Sequence, residues 1–355
     1  MKIVVTIMAG GAGTRFWPLS TEERPKQFLS LVGERSLLQM SFDRVRGLVP
    51  PEQVMVLTNE SYEDLVAGQL PEIPRANIIG EPIRKDTAAA VALAALITQH
   101  RFGEATMVLL TADHVISPLE NFQAALLEAV EACQKGGLYT LGIQPTYPAT
   151  GFGYLQMGKT LAGVGRLPHF EVDRFKEKPT QEVAEVFLES GIYYWNSGMF
   201  VWRTDQILKE FSMNLPAHID ILEPVMPNVG TDRGRLELMA AFDKLERISV
   251  DYAILEKATD VRSVIPDITW DDVGGWRAVA QYLSLDGFGN RLHGSVWSEE
   301  ANHNVVFSED PEEKVLLLGV EDLVVVRSGL RTLVAHRDHL DSLKLAVDNL
   351  SQVKV

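Results

Sequence analysis

The chain has 355 residues, enough for one large or two ordinary domains, and at 46% hydrophobic and 23% charged it has the composition of a globular protein. Its net charge of −15, with no basic tract to offset it, argues against nucleic acid as a partner. A single cysteine, Cys133, excludes a disulfide framework and fits a cytoplasmic location; no run is long enough to span a bilayer, and the apolar N-terminal stretch is too short for a secretion signal.

Strand-like and helix-like segments alternate through the first half. Ile3–Met8 reads as a buried strand, followed by a helical pattern (Leu37, Leu38, Phe42, Val45, Val49) that Pro50-Pro51 ends. Val54–Thr58 is the next strand, then a polar helix, then the short strand Asn77–Ile79. The alanine-rich run from Thr87 to His100 is a strong helix former, and Thr106–Ala112 has the look of a central parallel strand. Phe122, Ala125, Leu126, Ala129, Val130 and Cys133 recur at helical spacing before Gly136, and Leu138–Ile143 is another strand. Such alternation predicts an α/β, Rossmann-like, mixed and mostly parallel sheet with ligands beyond the carboxyl ends of its strands. His169–Lys178, Tyr194–Arg203 and Val261–Val273 read as further strands around a short helix (Gln181–Ser190) and a longer helical stretch from Asp205 onward. After about Leu285 short β-like pieces are broken by acidic turns, and a helix, Leu340–Leu350, closes the chain. The predicted organisation is a catalytic domain over residues 1–285 and a small C-terminal β domain over 286–355.

The most informative segment is AGGAGTRFWPLSTEERPKQFL, Ala9–Leu29. Gly10, Gly11 and Gly13 follow the first strand, then come Arg15 and Lys26. A glycine turn lets backbone N–H groups approach a phosphate, and the two cations add charge for an anion. A glycine cluster after a strand is also an ordinary tight turn. The P-loop pattern GxxxxGK[ST] is absent, and GxGxxG fails because Phe16 stands where glycine is wanted. On an acidic body, phosphate binding demands a local positive cleft, for which Arg15, Arg24, Lys26, Arg84, Lys85 and Lys178 are the available cations.

GGxGTRxxP followed by PK resembles the signature of the sugar-nucleotide pyrophosphorylases, or nucleotidyltransferases; RFWPLS and PKQF narrow the resemblance to the mannose-1-phosphate guanylyltransferases. That resemblance implies transfer of GMP from GTP to mannose 1-phosphate, giving GDP-mannose and pyrophosphate with Mg2+. The attacking sugar-phosphate oxygen is already ionised at neutral pH, so no enzyme nucleophile is required; the protein must join two polyanions and neutralise charge in the transition state.

The resemblance distributes roles over the chain. Gly10, Gly11, Gly13 and Thr14 would cradle phosphate, with Arg15 and Lys26 on the triphosphate. Asp113, in LLTADHVI at the end of an apolar strand, and Asp272, in TWDDVGGW, would hold the ion; Asp113 read alone is equally a cap. Asp271 beside it is expected to be a solvated carboxylate. EPIRKDTAAA offers Glu81 for guanine, whose N1–H and amine it can accept together, with Asp86, where Asn is commoner, at a ribose or phosphate contact and Thr87 at the nucleotide or capping the helix it opens. FKEKP gives Glu177 to sugar hydroxyls and Lys178 to the sugar phosphate. YYWNSGMFVWR gives Asn196 to a further hydroxyl, with its aromatics as packing, and GFGYLQ brings Gly153 near the sugar. SVDYAILEKA holds Asp251, which is expected to orient the site from behind.

The tail resembles that of the stand-alone members, without the isomerase domain of the long forms, and suggests a homodimer through the C-terminal domain. Three other readings are weighed. They are the same chemistry on a glucose or heptose 1-phosphate, a silent sugar-nucleotide sensor, and an NAD-dependent oxidoreductase, which the failed GxGxxG disfavours.

Overall fold

Nine strands form one mixed sheet in the computed structural model, which describes residues 2–11 and 13–350. They are β1 (Lys2–Ala9), β2 (Val54–Asn59), β3 (Ile78–Glu81), β4 (Ala105–Thr111), β5 (Leu138–Ile143), β6 (Gly153–Thr160), β7 (His169–Glu177), β8 (Tyr193–Arg203) and β9 (Val261–Val264). Their order is β3-β2-β1-β4-β8-β5-β9-β7-β6, with β6 also pairing β8. The N-terminal part, β3-β2-β1-β4, is wholly parallel. Beyond it β8 runs antiparallel to both β4 and β5, and β6, β7 and β9 add further antiparallel pairs, while β9 also lies parallel to β5.

Helix α1 (Thr87–Phe102) explains the alanine run. Every residue from Ala88 to Thr98 is buried, so small side chains are needed all round for a helix enclosed by sheet and helices. The expected helix to Val49 is shorter: it stops at Asp43, and Arg46–Val49 instead closes a bridged turn. The strand expected over Val261–Val273 is broken by Pro266, leaving β9 and a separate piece, Thr269–Asp271.

The described residues fall into two compact bodies. Residues 2–10, 41–112 and 116–270 contribute the first, which holds the nine-stranded sheet; 11, 13–40, 113–115 and 271–350 contribute the second. The contacts therefore do not divide at residue 285. In the second body Phe16, Leu19, Leu29, Leu31, Trp276 and Val279 share one apolar core with Phe307, Val324, Val326 and Leu333. The glycine-rich segment thus packs on the C-terminal strands rather than standing apart from them.

Those strands are β10 (Ser284–Leu285), β11 (Arg291–His293), β12 (Ser295–Glu299), β13 (Val305–Ser308), β14 (Lys314–Leu318), β15 (Leu323–Ser328) and β16 (Arg331–His336). β11, β13 and β15 stack in parallel, as do β12 and β14, so the chain coils as a short parallel solenoid. Buried asparagines tie the coils: Asn304 Nδ2 donates to Asn290 Oδ1 at 3.0 Å, and Leu323 N donates to Asn304 Oδ1 at 2.9 Å. Gly289, His303 and Asp322 take positive φ (80°, 56° and 53°) just before the three stacked strands.

Candidate active site

In the second body, the loop from Gly13 to Lys26 is shaped by contact with its own end. Gly13 has φ +58°, and a Cβ there would stand 2.4 Å from Lys26 Cβ, so only glycine fits. The short helix Thr14–Phe16 follows and carries Arg15, which is exposed; the Thr14 side chain lies outside the described residues. Lys26 is buried, and its ammonium donates to Asp113 Oδ2 at 2.9 Å and to the carbonyl oxygen of Asp272 at 2.6 Å. Desolvation alone would raise the Asp113 carboxyl, but Lys26 and His114 outweigh it and hold it below the usual carboxylate range. Asp272 goes the other way. Desolvation pushes it up, Lys26 and Arg15 oppose this, and the negative charges of Asp271 and Asp113 add to the rise. Arg15, Lys26, Asp113 and Asp272 therefore act on one another within one body.

The donor set there suits a hard divalent cation. Two carboxylates converge beside an ammonium, and among the described residues there is no cluster of three or more His, Cys, Asp or Glu that would make an all-protein cage. A hard cation that arrives with phosphate is served by this kind of partial oxygen site, which phosphates and water complete.

Asp271 is not the solvated carboxylate expected from the sequence. Its Oδ1 accepts from Val273 N at 2.7 Å, and its Oδ2 accepts from the Gln281 amide and from the Tyr282 hydroxyl at 3.1 Å. Burial and the Asp271 charge push the Tyr282 hydroxyl up, so it stays a donor.

In the first body, Gly10 and Glu81 lie at the carboxyl ends of adjacent-but-one parallel strands, β1 and β3. A Cβ on Gly10 would come within 3.5 Å of Glu81 Oε2. Burial pushes the Glu81 carboxyl up to about 8, with Arg84 opposing. Arg84 donates to the Tyr62 hydroxyl at 3.1 Å. Asp86 and Thr87 serve the framework. Asp86 caps α1 by accepting from Thr87 N at 2.8 Å, and Thr87 Oγ1 accepts from Val250 N at 2.9 Å.

The same body gathers the sugar-site candidates. Gly153 opens β6 opposite Glu177 at the end of β7, and a Cβ on Gly153 would stand 2.6 Å from Glu177 Oε2. Lys178 turns out of the strand at φ +42° and pairs with Glu177 Oε1 at 3.0 Å. Asn196 is buried in β8. It accepts from the Thr140 hydroxyl at 2.8 Å and donates to Asp251 Oδ1 at 3.2 Å. Desolvation and the nearby Glu177 charge push the Asp251 carboxyl up to about 7. Trp195, Phe152, Tyr147 and Trp270 pack edge to face, as expected for a supporting cluster.

Two cations named for the positive cleft are engaged elsewhere. Arg24 pairs with Glu309, and Lys85 donates to the carbonyls of Asp243 and Leu245 at 3.1 and 2.9 Å. Thr140, Gln281 and Tyr282 escaped the sequence reading. Thr140 sits mid-strand in an apolar run, and only strand register brings it to Asn196.

The family model described as nucleotidyl transferase matches residues 4–286. A mannose-1-phosphate guanylyltransferase of Escherichia coli K12 is 39% identical over 311 residues, covering 86% of this chain and 65% of that protein. One from Klebsiella pneumoniae is 41% identical over 301 residues, covering 83% and 63%. The chain thus spans a little under two thirds of the length of these two relatives. A crystal structure of a protein named mannose-1-phosphate geranyltransferase, from Thermus thermophilus, superposes with a TM-score of 0.87 at 32% identity, covering 99% of this chain and 100% of that one. No helix among the described residues is long and apolar enough to cross a membrane. The chain belongs to the nucleotidyl transferase family, among relatives named mannose-1-phosphate guanylyltransferase.

Proposed function

We propose that the chain transfers GMP from GTP to mannose 1-phosphate, releasing GDP-mannose and pyrophosphate, with Mg2+ as the ion. The observation that carries this reading is the convergence of Lys26, Asp113 and Asp272 behind a glycine loop that ends in Arg15. The sugar-phosphate oxygen attacks the α-phosphorus in line and pyrophosphate leaves, so what the protein supplies is position and charge. Backbone amides near Gly10, Gly11 and Gly13 cradle phosphate, with Arg15 and Lys26 neutralising the triphosphate as charge shifts to the leaving group. Asp113 and Asp272 would hold the divalent ion, which when bound draws the phosphate oxygens together and offsets their charge.

Glu81 is our candidate for the guanine edge, since a carboxylate can accept from N1–H and the exocyclic amine together. Glu177 would accept from sugar hydroxyls, Lys178 would meet the sugar phosphate, and Gly153 leaves the space that Glu177 occupies. Asn196 has one amide hydrogen left after Asp251 and is the remaining donor for a hydroxyl. Asp86 and Thr87 then contribute by shaping the turn that follows Glu81.

As a unit of function we place the catalytic module over residues 1–285 and give residues 286–355 to self-association as a cytoplasmic homodimer. Support for the latter is the exposed apolar face of β12 and β14, where Trp297, Leu316 and Leu318 stand 71%, 63% and 61% accessible.

The test is a matrix of mannose, glucose and heptose 1-phosphates against GTP, UTP and dTTP, followed by kcat/KM. The expected maximum is GTP with mannose 1-phosphate. A maximum at another sugar or base, or no transfer with any pair, overturns the assignment.

A further inference from the structure

We propose that Asp271 is a positioning residue that clamps the turn presenting Asp272. The inference rests on the cation role given above to Asp113 and Asp272.

The turn is a costly one. Val273 is β-branched, fully buried and held at φ +46°, a left-handed conformation that such side chains avoid. A backbone of this kind persists only where its surroundings over-determine it. Here the Val273 side chain is locked in an apolar core with Phe16 and Trp276, and its N–H donates to Asp271 Oδ1 at 2.7 Å. The other Asp271 oxygen is fixed by the Gln281 amide and the Tyr282 hydroxyl, which follow the short helix Trp276–Ala280. One carboxylate therefore ties both ends of the turn.

Asp272 lies between these anchors. Its carbonyl oxygen is held 2.6 Å from the Lys26 ammonium. On the far side, a Cβ on Gly274 would stand 3.2 Å from Asp272 Oδ2, so the carboxylate fits closely over that glycine. Without the Asp271 bonds, Val273 can relax to negative φ, which rotates the Asp272–Val273 peptide and carries both the carbonyl and the carboxylate away from Lys26 and Asp113. Asp271 has no oxygen aimed at the ion in this account; its effect passes through Asp272.

The experiment is Mn2+ binding in the presence of GTP, read by electron paramagnetic resonance, with Tm and steady-state kinetics for each variant. Asp271→Ala should weaken Mn2+ about 10-fold and raise the apparent Mg2+ requirement by a similar factor, with KM for mannose 1-phosphate unchanged. Asp271→Asn keeps an oxygen for Val273 N–H and should stay within about 3-fold of the native protein. Equal losses in the Ala and Asn variants would make Asp271 a ligand and overturn the proposal; so would an unchanged affinity in both. If Asp271→Ala does not fold, the double variant Gln281→Leu, Tyr282→Phe carries the test, with about 3-fold weakening expected and no change contradicting it. Asp272→Asn is the control. Native affinity in that variant would refute the cation site itself, whereas a loss there with none in Asp271→Ala refutes only the clamp.

Discussion

The Lys26 ammonium lies 2.9 Å from Asp113 Oδ2, and this single contact joins the end of the glycine-rich segment to a carboxylate two residues beyond the end of β4. Lys26 is nearly enclosed, with 10% of its side chain accessible, whereas Asp113 keeps 39%. The pair is thus a charged contact whose acidic member still faces solvent, as a group that must receive a ligand should.

Removing the charge of Asp113 while keeping its shape isolates that role. Asp113→Asn should lower kcat by at least about 100-fold. Its Tm and circular dichroism should remain near native, because the side chain is partly exposed and the amide oxygen can still accept from Lys26. Turnover close to native would contradict the assignment.

Gly13→Ala tests the loop itself. The added Cβ meets Lys26 Cβ at 2.4 Å, and φ +58° disfavours any side chain. We expect a stability loss of about 1–3 kcal/mol in urea unfolding and a kcat reduced by about 100-fold, since Lys26 is displaced. Gly11→Ala, with no atom within 4 Å of its built Cβ, should unfold at the native urea concentration. Equal destabilisation of both variants would show that the Lys26 contact is not what demands glycine at position 13.

Glu81 predicts a pH dependence of nucleotide binding. Its carboxyl is raised to about 8 in the free protein, so near pH 7 it is mostly protonated, whereas guanine N1–H and amine donors favour the ionised form. GTP affinity, measured by calorimetry, should rise between pH 6.5 and 8.5, and Glu81→Gln should flatten the profile. An unaltered pH slope in that variant would remove Glu81 from base recognition.

Asp251→Asn should stabilise the free protein at high pH. A folded pKa of about 7 lies above the ordinary value of 3.8, so the folded state holds the proton more tightly than the unfolded one. The sign follows: stability is lost as pH rises between those two values, and the loss is complete above about 7. The amide keeps the bond from Asn196 and carries no charge against Glu177. Its gain should therefore grow from pH 4 to 7 and level off at about 4 kcal/mol in thermal unfolding. A gain that falls with pH would contradict the raised carboxyl.

Much of the fold is legible in the sequence. Alternation gave the parallel β3-β2-β1-β4 part of the sheet, because buried parallel strands read as short apolar runs and the alanine-rich composition of α1 marks the helix between β3 and β4. The C-terminal strands, bounded by acidic turns, also stand close to where they were expected. The division into bodies was not legible. Phe16, Leu29 and Trp276 are apolar residues like any others in a sequence, and nothing local says that their partners are Phe307 and Val324.

In the site, Gly13, Lys26 and Asp113 could be picked out because glycine, cation and post-strand carboxylate are each unusual at their positions. Asp271 was misjudged because the partners of a carboxylate ten residues away, Gln281 and Tyr282, are set by a turn and a helix rather than by spacing. The partners of Arg24 and Lys85 are hidden for the same kind of reason, since a cation's sequence neighbours do not reveal which carbonyl or carboxylate it will meet.

The proposed transfer is read out by pyrophosphate release from GTP on addition of mannose 1-phosphate, followed with and without Mg2+ in the native protein. Release should depend on both the sugar phosphate and the ion, with GDP-mannose formed in equal amount. Release that is indifferent to mannose 1-phosphate, or undiminished by chelation of divalent ions, would contradict it.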